Sequence, residues 1–329
     1  MSFHVLICDR FDLEAEAKLR STPGLTLAKA SQPNPTADEL AAADALVIRS
    51  RTKIDATLLS RAPRLKVVVT STSGFDHIDL AATTAKGVTV MYTPDANAAS
   101  AAEHTWALTL AAMRKIPSAH RAVKTGDWNR ELLMGRQLAG LTYGVIGLGR
   151  IGCRVAKIAS AFGMKLVAFD PFKDEAHFEK EGCVRMSLDE VFKNADVVSC
   201  HVPATAETHH MIRRLALAEA GHDIVFVNTS RGSVIEEHIL VEALDKGWFV
   251  AAGLDVFERE PLARVSQLVG RDNVVLSPHI GATTLEAFRG ASLDAAHKVA
   301  EFARSGTVSD PLPTNEPWMV GGFAKLSGD

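Results

Sequence analysis

Arg231, Glu260 and His279 each stand just past an apolar run, and together they could carry proton and hydride chemistry on a small acid. Arg231 follows Val227-Asn228-Thr229-Ser230 and precedes Gly232. Its guanidinium is a planar fork suited to a carboxylate, which makes it a natural clamp for a 2-oxo or 2-hydroxy acid. Taken alone, an arginine at a strand end more often bonds a neighbouring loop. Glu260 precedes Pro261, which biases it toward an extended backbone, and His279 follows Pro278 at the end of the last apolar run. If the two side chains meet, the carboxylate orients the imidazole and raises its pKa, and the histidine can give or take the proton that accompanies a hydride. A lone histidine at such a place is as often structural.

Hydride chemistry needs a carrier, and Gly147-Leu148-Gly149-Arg150-Ile151-Gly152 supplies a place for one. The string alone is a weak signal, so its context must support it. Tyr143 to Ile146 reads as a strand; Ile151, Val155, Ile158, Ala159 and Phe162 recur at helical spacing until Gly163. The glycines then have separate tasks: a tight turn at Gly147, room for a pyrophosphate at Gly149, and close helix-on-strand packing at Gly152. A second strand, 165–169, delivers Asp170, 18 residues past Gly152, close to the roughly 20 expected of the acid that bonds an adenosine ribose. A carboxylate there repels a ribose phosphate, which favours NAD over NADP; Lys173 works slightly against that preference.

The elements that must position these groups follow from the order of apolar runs. Strands are expected at 4–8, 25–28, 45–48, 66–69 and 88–92, with helices at 13–19, 37–43 and 58–61 between them, which predicts a doubly wound parallel sheet. Ser100-Ala-Ala-Glu103 reads as a capping box opening a long crossover helix that Pro117 ends, with His104 an ordinary helix residue. From Leu141 six strands, at 143–146, 166–169, 197–200, 224–228, 251–254 and 274–276, make a full dinucleotide fold. Ligands in open sheets of this kind bind beyond the carboxyl ends of the strands, which nominates His201, Pro203, Thr229 and Asp255 beside the residues already named. A helix through Phe288, Leu293 and Val299 leads back toward the first sheet. The tail from Asp310, with Trp318 and Phe323, is expected only to pack against a neighbour. The fold class is therefore α/β with two doubly wound sheets, divided as 1–97, 98–282 and 283–329.

Two loops of the first segment could hold an anion. Arg49-Ser50-Arg51-Thr52 follows its third strand and Ser71-Thr72-Ser73-Gly74 its fourth. Small residues let backbone N–H groups converge, and two arginines suit a phosphate. The bland alternative is that Arg49 and Arg51, having the same parity, line one solvated face.

Composition narrows the class. Lys plus Arg is 36 and Asp plus Glu 39, a net charge of −3, which argues against nucleic acid or an anionic membrane as partner. The N-terminus enters a strand with no basic region or long apolar core, and no run of about 18 apolar residues occurs, so a cytoplasmic protein is expected. Cys8, Cys153, Cys183 and Cys200 stand far apart without metal-ligand spacing; they are expected to be buried small hydrophobes, and no metal site is expected.

Taken in order, Leu148-Gly149-Arg150-Ile151-Gly152, Asn228-Thr229-Ser230-Arg231-Gly232, Leu254-Asp255-Val256-Phe257-Glu258-Arg259-Glu260-Pro261 and Ser277-Pro278-His279-Ile280-Gly281 resemble the successive signatures of the D-isomer-specific 2-hydroxyacid dehydrogenases, over nearly the whole chain. The resemblance implies that Arg231, Glu260 and His279 take the family's catalytic positions and Asp255 the one that contacts the nicotinamide carboxamide. It also implies a flavodoxin-like substrate domain made from both chain ends, an inserted Rossmann NAD domain, and a homodimer or homotetramer built around the crossover helix. Within the family, Ile48-Arg49-Ser50-Arg51-Thr52 and the stretch 279–287 look most like the 3-phosphoglycerate-oxidising branch, which acts in serine biosynthesis; Asn97 and the loop ending in Gly74 match substrate positions there. Thr70 stands where some of that branch carry an arginine, and feedback control by serine through an appended domain is not expected. Ser73-Gly74-Phe75-Asp76-His77 and Tyr92-Thr93-Pro94-Asp95 resemble glyoxylate and hydroxypyruvate reductases instead. A binding protein without turnover, similar to the family's transcriptional corepressors, is the alternative from another class.

Overall fold

Runs such as Val67-Val68-Val69 and Ala45-Leu46-Val47-Ile48 are buried along their whole length, as strands covered on both faces must be. The computed structural model describes residues 2–31, 34–313 and 319, and the chain divides into two units. Among the described residues, the first contains those up to Asn97 and those after Gly281; the second is Ala98–Gly281.

The first unit begins β1 (Phe3–Ile7), α1 (Leu13–Ser21), β2 (Leu25–Lys29), α2 (Ala37–Ala42), β3 (Ala45–Ile48), α3 (Ala56–Ser60), β4 (Val67–Thr70), α4 (Leu80–Ala85) and β5 (Thr89–Tyr92). Aspartates start three of these helices: the carboxylates of Asp12, Asp55 and Asp79 accept backbone N–H groups of the first turn, and Thr36 and Glu39 form a capping box at α2. Helix α4 carries no apolar stripe strong enough to be anticipated.

The second unit opens with α5 (Ala98–Met113) and α6 (Ile116–Lys124). Helix α5 starts two residues before Ser100, so Ser100 and Glu103 lie inside it and form no capping box. Pro117 does not end α5, which stops at Met113; it sits in the first turn of α6, where a missing N–H costs nothing. Then follow β6 (Thr142–Ile146), α7 (Arg150–Ala161), β7 (Lys165–Phe169), α8 (Glu175–Lys180), β8 (Val184–Arg185), α9 (Leu188–Asn194), β9 (Val197–Cys200), α10 (Arg214–Ala220), β10 (Ile224–Asn228), α11 (Glu237–Asp245), β11 (Phe249–Leu254) and β12 (Val274–Leu276). The order β12-β11-β10-β9-β6-β7-β8, all parallel, is the dinucleotide-binding arrangement with the reversal between β6 and β9. Among the described residues this sheet has seven strands rather than six, because the short, exposed pair Val184–Arg185 adds an edge that its two residues do not announce as a strand. Trp106 joins α5 to the sheet layer, stacking on Tyr143 and Phe162 while its Nε1 donates to the Val155 carbonyl at 3.2 Å.

Helix α12 (Leu285–Ser305) returns the chain to the first unit, packing Ala295, Ala296 and Val299 on the face formed by α1, β3 and β4. A last strand, β13 (Pro311–Leu312), pairs antiparallel with β5 and buries Leu312, which gives the order β13-β5-β4-β3-β1-β2. Its five parallel strands have the flavodoxin-like order. Trp318 and Phe323 lie outside the described residues.

Candidate active site

The glycine loop sits at the reversal of the second sheet. Gly147 has φ +92°, and a Cβ there would lie 2.8 Å from the His201 carbonyl oxygen. Gly149 caps α7 without any side-chain hydrogen bond to the helix, and the space where its Cβ would stand is open. A Cβ at Gly152 would overlap the Gly147 carbonyl oxygen, so helix and loop touch backbone to backbone. Turn, open cradle and close contact are the three features a pyrophosphate needs at the positive end of a helix, and Arg150 and Ile151 form its first turn. Asp170 directly follows β7; its Oδ2 accepts the Leu148 N–H at 2.9 Å and its Oδ1 that of Phe172 at 3.0 Å, so the acid is fastened to the loop.

Other residues at the strand ends shape the same rim. His201 lines the loop with its backbone; its ring Nε2 meets Ser199 Oγ at 2.8 Å, Nδ1 is buried without a partner, and burial pushes its pKa down to about 3. The Pro203 carbonyl accepts from Thr208 Oγ1 at 2.6 Å, and Thr229 Oγ1 is 2.7 Å from Thr105 Oγ1 on α5.

Arg231 is set by its neighbours. The buried Asn228 side chain accepts from Ser230 N–H and Oγ–H and donates to the Arg231 carbonyl, which shapes the turn after β10. A Cβ at Gly232 would overlap the backbone of Phe257 and Glu258, so only glycine lets this turn press against the segment that leads to Glu260. Glu260 Oε2 lies 2.8 Å from His279 Nδ1, and its Oε1 accepts the Phe257 N–H at 3.1 Å. The bond to Glu260 holds the His279 pKa above its usual value, against desolvation and the Arg231 charge. Burial pushes Glu260 up, but the bonds from His279 and Phe257, with the charge of Arg231, leave it below the usual range. With Nδ1 engaged, Nε2 is the nitrogen left to face a reacting oxygen.

His279 has φ +54°, a left-handed conformation rare for a side chain of this size, and the turn is heavily restrained. The Asp255 carbonyl accepts the His279 N–H at 2.8 Å. The Asp255 carboxylate, 1% exposed, accepts from Ser277 Oγ at 2.6 Å, Ile280 N at 2.9 Å and Gly281 N at 2.8 Å, and lies 3.2 Å from His104 Nε2. Burial alone would raise its pKa; the bonds from His104, Ser277 and the two amides bring it down to about 2. His104 is therefore not an ordinary helix residue, since its Nε2 also meets Ser277 Oγ at 2.9 Å. Sequence reading passes over it because that partner is 173 positions away.

In the first unit, Asp9 is the residue missed. Its carboxylate accepts the Arg49 N–H at 2.6 Å and both N–H and Oγ1–H of Thr52, closing the loop after β3. The Arg49 guanidinium stands 5.1 Å from the Phe288 ring, and Arg10 stands 5.2 Å from the same ring. Ser50 and Arg51 are exposed, and Arg49 is not, so the two arginines do not share one solvated face. Burial lowers the Arg49 pKa, Asp9 opposes that, and Arg10 adds to it; its Nη1 is buried without a hydrogen bond. Asn97 Oδ1 is likewise buried and unpaired. Ser73 and Gly74 are half-buried, with the Gly74 carbonyl accepting from Thr72 Oγ1 at 2.7 Å. Thr70 Oγ1 bonds Thr72 and His77 instead of offering a cation.

Fold and glycine loop define a dinucleotide-binding protein, and comparison with known proteins agrees. Residues 106–281 match the family model described as D-isomer specific 2-hydroxyacid dehydrogenase, NAD binding domain. The chain is 43% identical over 269 residues to D-3-phosphoglycerate dehydrogenase of Mycobacterium tuberculosis, covering 80% of this chain and 51% of that protein. It is 42% identical over 258 residues to hydroxypyruvate reductase of Thermotoga maritima, covering 78% and 83%. The crystal structure of D-lactate dehydrogenase from Aquifex aeolicus, complexed with NAD and lactic acid, superposes with a TM-score of 0.81 at 33% identity over 92% of this chain and 95% of that one. The chain belongs to the D-isomer-specific 2-hydroxyacid dehydrogenase family and carries its NAD-binding domain. It spans about half the length of most of the phosphoglycerate dehydrogenases it matches.

Proposed function

We propose that the protein oxidises D-3-phosphoglycerate to 3-phosphohydroxypyruvate with NAD, a step of serine biosynthesis. The observation that carries the chemistry is the Glu260–His279 pair, 2.8 Å apart, with Arg231 close enough to act on both charges. The glycine loop and Asp170 would hold NAD by its pyrophosphate and adenosine ribose, and the dinucleotide would supply the hydride acceptor for C2. Arg231 clamps the carboxylate and polarises the 2-oxygen. His279 takes the hydroxyl proton on Nε2 in oxidation and returns it in reduction. Glu260 holds the imidazole in the tautomer that frees Nε2 and stabilises its charged form. Asp255, by way of the amides after His279, keeps the left-handed turn in place.

The phosphate assignment rests on Arg49, whose buried, unpaired Nη1 and depressed pKa are relieved by an anion, with Arg10 adjoining through Phe288. Asn97, Ser73 and Gly74 are assigned to the rest of the substrate. The second reading, hydroxypyruvate or glyoxylate reduction, is favoured by the relative from Thermotoga maritima, of which this chain covers 83%. Turnover efficiency on phosphohydroxypyruvate, hydroxypyruvate and glyoxylate separates the two. The first reading expects the phosphorylated acid to lead; equal or better efficiency on hydroxypyruvate assigns the enzyme to the second.

Self-association belongs to the same proposal. Helix α5 buries most of its length within its own unit, but the segment after it exposes Ile116, Val123, Trp128, Leu132 and Met134, with Trp128 73% exposed. Exposed apolar side chains gathered along one segment suit a second copy of the chain. Light scattering should give a dimer or tetramer, and a monomer at micromolar concentration would remove this part. A cytoplasmic setting is also inferred, in keeping with four free cysteines. No helix among the described residues is long and apolar enough to cross a membrane.

A further inference from the structure

Cys153, His177 and Glu181 bring their ligand atoms within 4.8 Å of one another behind the glycine loop. Spacing along the chain hides the group, since the residues come from the first turn of α7, from α8 and from its C-terminal cap. All three are half-buried. Cys153 Sγ lies 3.6 Å from His177 Nε2, and both converge on the carbonyl oxygen of Leu148, at 3.3 and 3.0 Å.

The distances fit a particular chemistry. Zinc holds sulfur at ~2.3 Å and imidazole nitrogen at ~2.0–2.1 Å, so in a tetrahedral site the S···N edge is about 3.6 Å. The observed separation equals that edge. Thiolate, imidazole and carboxylate are the ligand types zinc takes, and the Leu148 carbonyl oxygen, 3.3 Å from Sγ and 3.0 Å from Nε2, is an oxygen donor beside them that can serve as the fourth ligand.

We propose that Cys153, His177, Glu181 and the Leu148 carbonyl bind a thiophilic divalent cation, zinc by preference. On binding, the thiol proton leaves to solvent, the imidazole moves its proton to Nδ1 and presents Nε2, and the two hydrogen bonds to Leu148 become metal bonds. The ion ties the start of α7 to α8 and to the loop whose Leu148 N–H is bonded to Asp170, stiffening the dinucleotide cradle from behind. The site does not depend on which acid the enzyme uses.

Cobalt(II) titration of the chelator-treated full chain tests it. One equivalent should produce a thiolate-to-cobalt charge-transfer band in the near ultraviolet with visible bands of tetrahedral strength, reversed by zinc. Cys153→Ser should abolish the charge-transfer band, and His177→Gln and Glu181→Gln should each weaken zinc, measured against a chromophoric chelator, by at least ~10-fold. A folded wild-type chain that shows no band, or a band unchanged in Cys153→Ser, overturns the site. Should Cys153→Ser fail to fold, His177→Gln decides, and unchanged zinc affinity in that variant overturns it equally.

Discussion

The turn that carries His279 and the loop that carries Arg49 are built on opposite plans. Around His279, a carboxylate 1% exposed takes bonds from Ser277 and two amides, lies against His104, and the backbone is held at φ +54°. Around Arg49, the backbone is fastened by Asp9, but the guanidinium Nη1 is buried with no hydrogen bond, as is Asn97 Oδ1 elsewhere in the same unit. A group that moves a proton gains from being fixed before the substrate arrives. A group that recognises a substituent can leave its polar atoms for the ligand to satisfy, and rejects a ligand that cannot.

Substitutions can break that contrast or sharpen it. His279→Ala should lower turnover by at least ~100-fold while leaving NADH binding, followed by fluorescence, near wild type. Gly232→Ala should push the Arg231 turn off the Glu260 segment; backbone must shift, at a cost of roughly 1–3 kcal/mol in thermal unfolding, with turnover falling alongside. Arg49→Ala should reduce efficiency on phosphohydroxypyruvate by about 10-fold or more, the worth of a charge-assisted bond, and barely affect hydroxypyruvate. An equal loss on both acids would make Arg49 structural. Asp170→Ala should have the smallest effect, relaxing the NAD to NADP efficiency ratio by less than about 10-fold; an unchanged ratio removes the ribose from that carboxylate.

Much of the architecture is legible in the chain, because parallel strands buried on both faces announce themselves as continuous apolar runs. Ala45–Ile48, Val197–Cys200 and Ile224–Asn228 have the limits expected of them. Helix starts are harder: Ser100 and Glu103 have capping chemistry at capping spacing, yet the helix already begins at Ala98, since buried alanines favour helix as strongly as a cap does. Pro117 stops one helix or starts another with equal propriety, and the sequence holds no term that separates the two. That Glu260 and His279 meet could be expected because each lies in the segment that follows a strand, β11 or β12, in a fold whose ligands bind beyond strand ends. The roles of His104 and Asp9 could not, because they depend on partners 173 and 40 positions away. The Cys153 group escapes for the same reason, its members lying on separate helices.

The direct test of the central claim, that Glu260 tunes His279 as the proton carrier, is the pH dependence of turnover in wild type, Glu260→Gln and His279→Ala. Reduction needs the protonated imidazole, so its rate should be full at low pH and fall as pH rises through the elevated His279 pKa; oxidation needs the neutral ring and should rise over the same range. Removing the carboxylate lowers that pKa, so both limbs should move to lower pH in Glu260→Gln and vanish in His279→Ala. Limbs that stay where they are in Glu260→Gln would contradict the account.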